Sequence, residues 1–65
     1  MNNLKKIRAI REATQKEISI LAQVPERAYQ MYEYDDREPR VRAAIRIARA
    51  LGTTVEDLWG SKQSV

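Results

Sequence analysis

Residues 14–33 read "TQKEISILAQVPERAYQMYE", and the way this stretch divides decides the fold. Its first four residues form a capping box. The Thr14 hydroxyl can accept the backbone N–H of Glu17, and the Glu17 side chain can reach back to the start of the helix. Ile18, Ser19 and Ala22 then recur on one face and predict a helix over 15–22. No glycine or proline ends it before Pro25, so the turn is read from that proline. Pro25 pushes Val24 towards an extended backbone and is itself comfortable at a helix start. Beyond it, Ala28, Tyr29 and Tyr32 give a helix over 26–33 its inner face.

Outward from this pair the pattern stays helical. Residues 4–13, "LKKIRAIREA", space Leu4, Ile7 and Ile10 as one dry stripe among Lys5, Lys6, Arg8 and Arg11. They predict a first helix over 3–12 with Asn2 or Asn3 as its cap. After "YDDREP", a polar loop closed by Pro39, comes the clearest helix, 40–51. Val41, Ala44, Ile45, Ala48 and Leu51 are its expected stripe, with Arg42, Arg46 and Arg49 opposite. Gly52 stands where a left-handed cap is wanted. Thr54 and Asp57 repeat the capping box before a short helix over 55–59, whose apolar side is Val55, Leu58 and Trp59. No segment alternates strictly enough to compete as a strand, so the fold class is all-α. The expected core is Leu4, Ile7, Ile18, Ala22, Val24, Tyr29, Tyr32, Val41, Ala44, Ile45, Ala48, Leu51, Val55 and Leu58.

The chain has 65 residues, enough for one domain over 1–60 with a polar tail, "SKQSV", at 61–65. A chain this short buries only about 60 per cent of its unfolded surface, so its stability is expected to come from packed side chains, with a second copy of the chain as a further source. It holds no cysteine and no histidine, which removes disulfides, structural zinc and the usual nucleophile–base pairs. No glycine-rich phosphate loop is present either. No enzyme, cofactor or metal is expected. Without a targeting segment or an apolar run near ~20 residues, the expectation is a soluble cytoplasmic protein with no membrane partner. The net charge is +3, compatible with nucleic acid but shared by many inert proteins. Its distribution says more. Residues 1–24 carry five basic and two acidic side chains, 25–38 two and five, and 39–65 five and two.

Five short helices with a tight turn between the second and third resemble the Cro/repressor-type, lambda-repressor-like helix-turn-helix of phage and bacterial regulators. The likeness runs from Leu4 to Trp59. It is carried by Thr14, Gln15, Ile18 and Ser19 in helix two, Val24 in the turn, and Tyr29, Tyr32 and Glu33 in helix three. Pro39 and the closing "AIRIARALGTTVEDLW" complete it. The departures are local. Gln23 fills a turn position commonly held by glycine, and Asp35 follows the family glutamate where glycine is usual. Pro25 replaces the Ser or Thr that caps the recognition helix. Ser19 stands for alanine, so its hydroxyl needs a carbonyl one turn back.

The resemblance implies a sequence-specific regulator of transcription, a repressor that binds a palindromic operator as a homodimer, with helix three in the major groove of double-stranded DNA. With Tyr29 and Tyr32 inward, geometry and resemblance alike leave Glu26, Arg27, Gln30 and Met31 for the bases. Arg27 suits guanine O6 and N7, Gln30 adenine, Glu26 cytosine N4, and Met31 a thymine methyl. Gln15 resembles the family glutamine that spans a phosphate and the recognition helix. Thr14 brings backbone N–H groups to the same helix end, and Arg40 is the phosphate candidate of helix four. Val55, Leu58 and Trp59 are the candidate dimer seam, Trp59 foremost, against the alternative that Trp59 folds back on helix one.

Plainer readings stand beside these. Gln15 also fits an ordinary first turn, Arg27 a surface pair with Glu26 or Glu33, and Met31 a surface hydrophobe. Glu33, Asp35, Asp36 and Glu38 would repel phosphates if unpaired. The rival function is a protein-interaction module with weak or no DNA binding, suggested by Ile20 and Leu21, which one helix cannot bury together with Ile18 and Ala22. Ile20 beside Tyr34 would be its surface. A second regulatory protein is a further expected partner, since the short tail leaves no room for a sensor domain.

Overall fold

The computed structural model describes residues 2–60; the tail expected at 61–65 lies outside them. The described residues form five helices: α1 (Leu4–Ile10), α2 (Gln15–Ala22), α3 (Glu26–Glu33), α4 (Val41–Leu51) and α5 (Val55–Trp59). Among them there is no strand, and none of the helices is long and apolar enough to cross a membrane. Helix α2 packs chiefly on α4 and then on α3. This builds the helix pair of the opening stretch onto a platform made by the longest helix.

The capping box at Thr14 forms in full: Glu17 N–H donates to Thr14 Oγ1 at 3.0 Å and Thr14 N–H to Glu17 Oε1 at 2.8 Å. Ser19 is buried and its hydroxyl donates to the Lys16 carbonyl at 2.8 Å, which supplies the partner its burial demands. Thr54 caps α5 by accepting from Asp57 N–H at 3.0 Å. The expected reply differs, because the Asp57 carboxylate accepts from the Thr53 hydroxyl instead. At the start of α1, Asn3 occupies the cap position, but its side chain does not cap the helix; its Nδ2 donates instead to the Asp57 carbonyl at 2.9 Å. Asn2 Oδ1 accepts the Leu4 N–H at 2.9 Å in its place.

Four of the five helices end alike. Residues 12, 23, 35 and 52 take left-handed backbone with φ of 58°, 59°, 63° and 71°. In each case the next residue's N–H bonds a carbonyl five positions back: Ala13 to Arg8, Val24 to Ser19, Asp36 to Met31 and Thr53 to Ala48. Only Gly52 adopts this conformation without steric cost. Gln23 and Asp35 take it as their positions in the pattern required. Glu12 does so without any residue-type cue, and it stops α1 at Ile10 rather than at residue 12.

The core gathers Leu4, Ile18, Ala22, Tyr29, Tyr32, Ile47, Ala48, Leu51 and Leu58, with Ile7, Val24 and Trp59 half-buried against it. Two expected stripes are rotated. A helix turns by about 100° per residue, so Ala44, Ile47, Ala48 and Leu51 lie on one face of α4, and these are its buried residues. Ile45 sits about 110° and Val41 about 70° from the centre of that face. Ile45 is 38% exposed and Val41, the first residue of the helix, 74%, while Ile47, absent from the expected stripe, is fully buried. Val55, expected inside, is 37% exposed. In α1 the stripe stops at Ile7. Ile10 lies about 120° from Leu4, and Arg8 and Arg11 occupy the Leu4 side. Ile10 is exposed.

Candidate nucleic-acid interface

Helix α3 turns Tyr29 and Tyr32 into the core and leaves Glu26, Arg27, Gln30 and Met31 on its outer side. These four line one shallow depression together with Tyr34. Tyr34, an exposed aromatic just past the helix end, is the member that sequence reasoning missed. Pro25 caps α3 in extended conformation without a side-chain bond, and Glu26 in the first turn answers the positive helix end. Arg27 makes no hydrogen bond or ion pair within the described residues. Of its two alternative partners, Glu33 is already committed to Arg8.

Beneath this face lies a polar cluster. Arg8 grips Glu33 with two bonds, Nε to Oε2 at 2.6 Å and Nη2 to Oε1 at 3.2 Å. Its Nη1 donates to the Ala13 carbonyl at 3.0 Å. The Glu33 side chain is 1% exposed. Burial alone would raise its carboxyl pKa. The bonds from Arg8 and Gln15 and the Arg8 charge outweigh that, and the carboxyl is held below its usual value. The Glu33 bond in turn holds the Arg8 guanidinium above its usual value. Tyr29 presses its hydroxyl against the same pair without a bond of acceptable geometry. Burial, and then the neighbouring carboxylate, push that phenol up.

Gln15 joins this cluster to the surface. Its Nε2 donates to Glu33 Oε1 at 3.0 Å, and its Oε1 accepts from Gln30 Nε2 at 3.3 Å. Thr14 and Gln15 line a second depression with Lys5, Arg8, Glu33 and Tyr34, so Tyr34 borders both hollows. The Thr14 N–H is taken by Glu17, which leaves the first-turn N–H groups of Gln15 and Lys16 as the donors at this helix end. Arg40 lies apart from Thr14 and Gln15. It lines a third hollow with Gln23, Pro25, Arg37, Glu38 and Arg42, beside the start of α3. Arg46 borders that hollow too, but its Nε is spent on the last carbonyl of α2, Ala22, at 2.8 Å.

The acidic stretch is less hostile to phosphate than its composition suggests. Glu33 is buried and paired, and Asp35 accepts from Asn2 Nδ2 at 2.8 Å. Asp36 and Glu38 remain exposed.

The candidate seam is divided. Leu58 is fully buried in its own chain, because α5 must close the core, and that withdraws it from any contact between chains. Val55 and Trp59 instead line an apolar groove of about 390 Å³ with Pro39, Val41 and Ile45. Trp59 is half-buried, packed against the core at one side and open to this groove at the other. Ile20 and Leu21 are both exposed, in a small apolar hollow with Ala13 and Glu17. Tyr34 does not border that hollow; it belongs to the two beside α3.

The arrangement defines a class: two helices held at a fixed angle by a buried polar cluster, the second offering a row of side chains outward. The helix-turn-helix family pattern matches residues 4–58, and the chain belongs to that family, in its Cro/repressor-type branch. It is thereby a DNA-binding regulator of the helix-turn-helix kind. No curated protein matches the chain.

Proposed function

We propose that this protein is a sequence-specific transcriptional repressor that binds a palindromic operator as a homodimer. Helix α3 lies in the major groove, where Arg27, Gln30, Glu26 and Met31 meet base edges. Thr14, Gln15 and Arg40 position the flanking phosphates, with Lys5, Arg37 and Arg42 adding charge beside them. One observation carries this reading: all four base-reading candidates share a single outward depression, while the glutamine bonded to one of them sits at a helix N-terminus. Two copies place their reading heads about one turn apart, ~34 Å. The groove around Trp59 is the proposed seam, formed by Val55 and Trp59 with Val41 and Ile45 and without Leu58.

Titration of labelled duplexes by anisotropy tests the reading. Arg27→Ala is expected to lose affinity chiefly on one preferred sequence. Arg40→Ala is expected to weaken all sequences alike and to shallow the salt slope by about one unit. Equal loss on preferred and random duplex in Arg27→Ala removes Arg27 from base reading. For the seam, ultracentrifugation should find wild type dimeric and Trp59→Ala shifted towards monomer. A wild type that stays monomeric at hundreds of micromolar and on a palindromic duplex excludes the dimer.

The second reading, a protein-interaction module with a second regulatory protein as partner, is favoured by the neighbouring exposure of Ile20 and Leu21. Absence of duplex binding at both low and physiological salt would select it.

A further inference from the structure

We propose that the buried pair Arg8–Glu33 determines which base Gln30 selects, acting through the side-chain amide of Gln15. The inference rests on the DNA-reading proposal above and adds a positioning role for two residues that touch no nucleotide. An ionised carboxylate only accepts hydrogen bonds, and Arg8 holds Glu33 ionised with two bonds of its own. Gln15 must therefore turn its NH2 group towards Glu33, as it does at 3.0 Å. Its amide oxygen then faces Gln30, which has to answer with an N–H, as it does at 3.3 Å. Each amide in the chain is oriented by the one before it.

The consequence is chemical. With one N–H spent on Gln15, Gln30 offers the groove one remaining N–H and its amide oxygen. That is one donor and one acceptor, matching adenine N7 and the adenine N6 amino group. Guanine presents two acceptors, N7 and O6, and would need both N–H groups. A Gln30 amide released from Gln15 can turn to supply either pattern. The second N–H of Gln15 stays free for a phosphate, so the same orientation serves both contacts.

The experiment measures binding of wild type, Gln30→Ala, Gln15→Leu and Glu33→Gln to a duplex set in which each base pair of the selected site is varied in turn. Gln30→Ala identifies the base pair that Gln30 reads. At that pair the wild-type preference for adenine over guanine is expected to be roughly tenfold, falling to about twofold in Gln15→Leu. Preferences at the other base pairs should be unchanged. Glu33→Gln, where thermal melting finds it folded, should do the same with Gln15 intact, because a neutral amide accepts or donates equally well. If it does not fold, Gln15→Leu decides alone.

An undiminished adenine preference in Gln15→Leu overturns the proposal. So does a loss spread evenly over all sequences, which marks a phosphate contact or a structural role. Unchanged preferences in Gln30→Ala overturn it as well. Wild type binding random duplex as tightly as any selected site brings down the DNA-reading proposal and this one together. Wild type that discriminates while Gln15→Leu keeps adenine over guanine brings down the relay alone.

Discussion

Helices α1 and α4 are both short, basic and amphipathic, yet their arginines do opposite work. Arg8 in α1 and Arg11 at its C-terminal cap lie on the same side as buried Leu4. Arg8 bonds Glu33 and the Ala13 carbonyl; Arg11 bonds the Leu51 carbonyl at the end of α4 at 2.7 Å. In α4, Arg42 and Arg49 are exposed, and only Arg46 reaches back to another helix end. A count of positive charge thus overstates what is free to meet DNA. Two of the five cations before residue 25 are consumed in holding helix ends and a carboxylate in place. Position relative to the dry face, rather than residue type, decides the part each plays.

The comparison breaks most severely at Arg8. Arg8→Ala leaves the Glu33 carboxylate buried without its cation, a loss of about 3–5 kcal/mol. A single small core rarely supplies more than ~3–5 kcal/mol in all. Circular dichroism is therefore expected to find Arg8→Ala largely unfolded at room temperature. A loss below ~1 kcal/mol would put Arg8 with the surface arginines of α4.

The next effect separates the two candidate stripes of α4. Ile47→Ala removes a fully buried side chain and is expected to cost about 2–5 kcal/mol in urea denaturation. Ile45→Ala, on the groove wall and 38% exposed, should cost well under half as much in the monomer. The reverse order would return the core to the Val41–Ile45 side.

That pair also marks what could and could not be read ahead of the structure. Helix existence, the capping box and the inward tyrosines follow from local rules and were legible, while the left-handed Gln23 and Asp35 were legible only through the family resemblance, as positions where glycine is usual. The stripe of α4 was not, because Val41, Ala44, Ile45, Ile47, Ala48 and Leu51 make the helix apolar over an arc of about 160°, wider than the face that is buried. Only the direction of α2 says which part is covered. The outward row on α3 follows once Tyr29 and Tyr32 are inside. The Arg8–Glu33–Gln15–Gln30 connection does not, since it joins α1, α2 and α3 by contacts no spacing in one helix encodes. Arg8 at four residues from Leu4 was the available cue, masked because arginine is almost never buried unless paired. Glu12 had no cue at all.

Acid should sharpen the contrast further. Glu33 has a lowered carboxyl pKa in the fold, so the unfolded chain takes up the proton first. Its contribution is complete above the unfolded value of about 4.3 and is lost as pH falls through the lower folded value. The double variant Arg8→Met/Glu33→Met removes the pair without orphaning either charge. Such replacements are often neutral or stabilising, so at pH 7 it should lie within ~1 kcal/mol of wild type or above it. Its stability should then fall less between pH 5 and pH 3. Parallel curves would mean that other carboxylates govern acid unfolding.

The smallest effect is expected at Arg49, the counterpart of Arg8 on the other basic helix. Arg49 is exposed and makes no side-chain hydrogen bond or ion pair within the described residues. It lines neither the hollow beside α3 nor the one around Arg40. Its remaining influence on the fold is its charge in the last turn of α4, where a cation favours the helix dipole by about 0.3–1 kcal/mol at low salt. Arg49→Ala should therefore change stability by no more than about 0.5 kcal/mol at 0.15 M salt. If only the cations around α3 and Arg40 approach phosphate, the slope of log affinity against log salt should match wild type, whereas Arg40→Ala loses about one unit. A slope change of similar size in Arg49→Ala would make the outer face of α4 a phosphate contact row. The two basic helices would then differ in what they bind, α1 the fold and α4 the DNA.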